Sequence, residues 1–150
     1  MDAPPANMDP IMQAVATLQN GDRAGARSAL LRLWDEGGSP LQRCTIAHFL
    51  ADTEEDAAAE LEWDLRALEA ATGARDQEDR DAVEPALAGF LPSLHLNVGD
   101  AYRRMGQHEF AARHADNGIR RSAALGDDGY GDMVKGGLER LRARLAAGGA

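Results

Sequence analysis

Residues Pro92–Asp128, PSLHLNVGDAYRRMGQHEFAARHADNGIRRSAALGDD, decide the fold. The stretch reads as two helices folded back on each other across one glycine turn at Gly106. Gly99, Ala111, Ala115 and Gly118 are small where the two helices must approach closely. Leu96, Val98, Tyr102, Met105, Phe110 and Ile119 supply bulk between them. A related unit recurs upstream, so the pattern predicts a helical repeat chain.

Working outward, the same punctuation marks the other helices. Asp9-Pro10 is a start signal, an N-cap oxygen followed by a residue whose φ is already set. A first helix is expected over about Pro10–Gln19, broken by Asn20-Gly21-Asp22. A second carries Ala26, Leu30, Leu31, Leu33 and Trp34 and ends at Gly37-Gly38. Ser39-Pro40 repeats the start signal. Thr53 with Asp56 resembles a capping box for a fourth helix over about Glu54–Thr72, closed by Gly73. Its apolar stripe is Ala57, Ala58, Leu61, Leu65 and Leu68. A charged loop over Gln77–Ala82 and a short helix near Pro85 lead into the fifth helix, about Pro92–Met105. The sixth should span about Gln107–Leu125. A loop over Gly126–Gly131 precedes a last helix over about Asp132–Ala146. That helix has an apolar stripe on one side and Lys135, Glu139, Arg140, Arg142 and Arg144 on the other, the pattern of a capping helix. The expectation is therefore all-α: antiparallel helix-turn-helix units, about three pairs plus a C-terminal cap. Residues 1–8 should form an N-terminal arm before a single domain over 9–147.

Composition agrees. A chain of 150 residues rich in Ala, Leu, Arg and Glu, with 5% aromatics, favours helix over sheet. Net charge is −9, but residues 52–84 hold thirteen carboxylates against three arginines, so the rest is close to neutral. Such an acidic middle repels phosphate, which argues against nucleic acid or an anionic membrane as partner. Cys44 is the single cysteine, so no disulfide within the chain and no cysteine-based zinc site is expected. No apolar run reaches the length of a membrane span, and the cytoplasm is the expected location. Fifteen arginines to one lysine, with many Ala and Gly, look like the coding of a GC-rich bacterial genome.

The units resemble the tetratricopeptide repeat. Gly99, Tyr102, Gly106 and Ala111 fill that family's places for a small residue, an aromatic, a turn glycine and a second small residue. Gly21 with Ala26 and Leu30 is a second match; Ala47, Leu50, Ala59 and Trp63 form a third, with Glu54 at the turn. Gly21 and Glu54 are 33 residues apart, near the family's period of about 34. The resemblance implies a concave groove lined by the first helix of each unit, and protein or peptide binding rather than catalysis. Carried over residue by residue, the groove side should hold Cys44, His48, Asp52, Ser93, Leu96, Asp100, Arg103 and Arg104. Of these, His48, Asp52, Leu96, Asp100, Arg103 and Arg104 are the candidate binding residues. His48 and Asp100 stand where some members carry the asparagines of a carboxylate clamp, so that clamp is absent in its usual form.

A second reading places a small-molecule or enzyme-like site around His48, Asp52, Trp63 and His95. His48 and Asp52 share a helical face at i and i+4, a spacing that suits an imidazole–carboxylate bond. No H-E-x-x-H or other metal signature is present, and no metal or cofactor is expected. Gly126–Asp132 lacks the lysine of a P-loop and the alternating oxygen ligands of an EF-hand, so it reads as a turn in which Tyr130 anchors against the preceding pair. No nucleophile elbow frames the serines, and no enzymatic activity is expected. A third reading is self-association, the acidic and mildly basic parts of two copies meeting head to tail to form a homodimer.

Overall fold

Seven α-helices follow one another among the described residues, 7–74 and 81–148, of the computed structural model. They are α1 (Asp9–Gln19), α2 (Arg23–Glu36), α3 (Pro40–Ala51), α4 (Ala57–Thr72), α5 (Leu91–Arg104), α6 (His108–Arg121) and α7 (Gly129–Ala146). Short 3₁₀ turns, Pro85–Phe90 and Ser122–Ala124, lead into α5 and extend α6. No strand occurs among the described residues.

Local chemistry sets the ends. Ser39 accepts from the Gln42 backbone N–H while the Gln42 side chain accepts from the Ser39 N–H, a complete capping box at the expected start of α3. Asp22, Asp56 and Asp128 each accept from the backbone N–H three residues on. Gly73 closes α4 with φ +77°, a left-handed turn that suits glycine.

Three helix starts differ from the sequence reading. The N-cap of α1 is Met8, and Asp9 already lies inside the helix. The capping box expected from Thr53 does not form; its hydroxyl donates to the Leu50 carbonyl at the end of α3 and accepts from Arg27 Nη1. Asp56 then starts α4 about three residues late. The Asp128 cap starts α7 at Gly129, which shortens the expected loop. The arm at residues 1–8 and the charged loop at 77–82 fall largely outside the described residues.

Each helix packs on its chain neighbour; α5 also meets α7, and α1 also meets α3. The α5–α6 contact relies on the small residues. A Cβ on Gly99 would stand 2.9 Å from Leu141 Cδ2, and one on Gly118 would stand 2.6 Å from Leu138 Cδ2. The glycines thus make room for α7 as well as for each other's helix. Met105 and Phe110, expected as bulk between these helices, are 40% and 37% exposed. Phe110 lies stacked on Tyr102, with ring centroids 5.2 Å apart.

Buried apolar side chains form two clusters. The larger runs from Ile11 and Val15 of α1 through Leu30 and Leu50 to Leu91 and Leu94 of α5. The smaller joins Leu61 and Leu65 of α4 to Val98, Ala101 and Tyr102 of α5 and Ala111 of α6. The turn between α3 and α4 is pinned by Glu54, which takes an ion pair from Arg27 of α2 and accepts from Trp63 Nε1 at 3.3 Å. Trp63 in turn meets Trp34 edge-on, with centroids 5.3 Å apart.

Candidate functional site

A groove of about 920 Å³ opens between α1, α3, α5 and α7. Met8 and Met12 come from the start of α1; Leu41, Thr45, His48 and Phe49 come from α3. Phe90, Ser93, Leu96 and Asn97 form the wall along α5 and the 3₁₀ turn before it. Tyr130, Met133, Val134 and Arg140 of α7 close the far side. Three of the chain's five methionines are in this lining. Met12, Tyr130 and Met133 stand on it at 49%, 47% and 63% exposure, so its edge presents bare apolar surface.

His48 is half-buried between Phe49 and Phe90, at centroid distances of 4.9 and 6.3 Å. Its Nδ1 lies 3.4 Å from Asn97 Nδ2, which links α3 to α5 across the groove wall. Burial pushes His48 below its ordinary value against the opposing pull of Asp52, so the imidazole is neutral at neutral pH.

The candidate binding residues divide between two places. His48 and Leu96 line the groove. Asp100, Arg103 and Arg104 lie in a charged corner between α5 and α4. Arg103 donates to Asp100 Oδ1 at 3.1 and 3.0 Å, and Arg104 donates to Asp100 Oδ2 at 3.1 Å and to Glu60 Oε2 at 2.8 Å. Two guanidiniums thus grip one carboxylate, and Arg104 ties α5 to α4. Asp52 caps the end of α3 and is exposed; desolvation by its surroundings and the Glu60 carboxylate hold its carboxyl above the ordinary range, opposed by His48. Ser93 is on the groove wall, whereas Cys44 is fully buried and its thiol is pushed up to about 12 by that burial.

Of the second sequence reading, His48 and Asp52 act on each other electrostatically, whereas Trp63 and His95 have environments of their own. Trp63 is in the Trp34–Glu54 knot. His95 is buried between α5 and α6, its Nδ1 3.0 Å from His114 Nδ1. Tyr130, expected to anchor its turn, lines the groove together with Ala124 and Leu125. No group of three or more His, Cys, Asp or Glu among the described residues could hold a metal ion, and no helix among them is long and apolar enough to cross a membrane.

Sequence reasoning missed Met8, Met12, Phe49, Phe90, Met133 and Arg140 as groove residues. One signal was present. Met133 lies at the edge of the α7 stripe, where it extends apolar character past what one buried face requires. No family model, curated protein or solved structure matches the chain.

Proposed function

We propose that the chain is a protein- or peptide-binding adaptor of tetratricopeptide-like architecture, and that its concave groove is the binding surface. The observation that carries this is the groove itself: four helices build one open, methionine-rich trough whose edge is left apolar. Methionine is flexible and polarisable, so a surface rich in it adapts to apolar side chains of different shape. Phe49, Phe90 and Leu96 supply firmer contact, and the His48–Asn97 pair holds α3 against α5. Binding on a preformed scaffold loses little ordering entropy on the adaptor side. Arg104 supports this reading indirectly, since its ion pair with Glu60 fastens the groove helix α5 to α4, while Asp100 and Arg103 pair within α5.

The test is selection of a randomised peptide library against the chain and against the double variant Met12→Glu, Met133→Glu. Both side chains are exposed, so the variant keeps its core. The expected result is peptides that bind the parent chain and lose at least about tenfold on the variant, since two carboxylates now face apolar ligand groups. Peptides held equally well by both proteins would place binding elsewhere.

A further inference from the structure

The groove wall offers little to an extended peptide. Each residue of such a peptide brings a backbone donor and an acceptor, and burying either without a partner is costly. Yet the polar side chains of the wall are mostly engaged. Thr45 Oγ1 donates to the Leu41 carbonyl at 2.8 Å and Ser93 Oγ to the Phe90 carbonyl at 3.1 Å. His48 and Asn97 face each other. An α-helix satisfies its own backbone and needs from its surroundings only apolar contact along one stripe.

Charge narrows the occupant further. The chain carries −9 overall, but no carboxylate lines the groove among the described residues. The lining's one guanidinium, Arg140, is exposed and forms no ion pair among the described residues. It has room along α7 because Gly136 has no side chain; a Cβ there would stand 3.2 Å from Arg140 Nη1.

Resting on the groove reading above, we infer that the occupant is an amphipathic α-helix of a partner protein. Its apolar stripe seats among Met12, Phe49, Phe90 and Met133, and a carboxylate on its flank is held by Arg140. A guanidinium meets a carboxylate through two parallel bonds, so the pair also fixes the direction in which the helix lies.

Two display libraries of peptides about 15 residues long test this, one on an alanine-rich helical frame and one interrupted by prolines that forbid helix. Both are selected on the full chain and then measured on Gly89→Trp and Arg140→Glu. Gly89 lines the groove, and a Cβ there meets nothing within 4 Å, so a side chain added at this position starts in open space and its indole obstructs the trough. The helical library should yield binders carrying Asp or Glu that lose at least about tenfold on Gly89→Trp. On Arg140→Glu they should weaken by about tenfold, and exchanging the peptide's acid for Lys should restore binding. Proline-library binders of equal affinity would overturn the helical occupant while leaving the groove as a peptide site. Helical binders indifferent to Arg140→Glu would overturn the acidic flank. If neither library yields a binder sensitive to Gly89→Trp, the inference and the peptide-binding reading fall together. An apolar dye displaced by that same variant would then assign the trough to small apolar molecules.

Discussion

Asp64 is 1% exposed, and neither of its carboxylate oxygens has a hydrogen-bond partner among the described residues. Burial raises its carboxyl to about 8; Glu60, Asp52 and Asp100 add to the rise and Arg104 opposes it. An unfolded Asp titrates near 3.8, so between that pH and about 8 the folded chain holds a proton that the unfolded chain has released. Stability from this group is therefore complete below about pH 4, declines as pH rises, and is gone above about pH 8. His48 runs the other way. Its folded value is depressed, so its share is lost as pH falls below the ordinary histidine range. Asp64→Asn has the same shape and no proton to lose. Urea unfolding at a series of pH values should show the variant gaining on the parent from pH 4 to 8, by a few kcal/mol at the upper end. Parallel curves for the two proteins would mean that Asp64 is ionised and solvated throughout. Asp64 was legible in part: it lies three residues after Leu61 and four before Leu68, on the apolar stripe of α4. Its lack of a partner was not legible, because that depends on which side chains α3 and α5 bring to it.

Helix ends were the most readable elements, since each is fixed by a backbone requirement within a few residues. Ser39-Pro40 and the glycines at 37 and 73 gave their helices to within a residue. Starts failed where two caps competed at short range, as with Thr53 and Asp56: Asp56 caps α4, and the Thr53 hydroxyl is engaged by the Leu50 carbonyl and Arg27. The pairings of His95 with His114 and of His48 with Asn97 were beyond reach, as each spans different helices and depends on their rotation. Of the residues expected to share a groove, His48, Ser93 and Leu96 line this trough and Cys44, Asp52, Asp100, Arg103 and Arg104 do not, and the part of α7 in closing it was not expected. That part depends on the tight entry to α7. A Cβ on Gly131 would stand 2.1 Å from the Gly126 carbonyl oxygen, a backbone atom that moves only with the whole turn. Gly129, two residues earlier, has nothing within 4 Å of the same position. Gly131→Ala should therefore destabilise by about 2 kcal/mol, and Gly129→Ala should be neutral or slightly stabilising, as measured by chemical denaturation. Equal effects would show that the turn yields freely.

Across the whole molecule, α4 and α5 serve both core clusters. Trp63, Ala67 and Leu68 of α4 and Leu91 and Leu94 of α5 belong to the larger; Leu61, Leu65, Val98 and Tyr102 belong to the smaller. In a stacked helical array each unit contacts only its neighbours, and the ends can melt apart from each other. Here two shared helices run through both clusters, and Arg104 fastens them together from outside the core. Neither half can lose its core without stripping apolar partners from the other, so the chain should unfold as one unit. Trp34 and Trp63 report on the end near α2 and α4, while far-ultraviolet circular dichroism reports on all helices. Leu138 of α7 is fully buried at the opposite end, against Gly118. Leu138→Ala should cost about 2–5 kcal/mol and move the tryptophan and circular dichroism transitions down together, with their midpoints coincident. A dichroism midpoint that falls while the tryptophan midpoint stays would mean that α6 and α7 melt alone. The groove would then be a trough with one wall able to open, and its affinity for a helix would depend on how often that wall is in place.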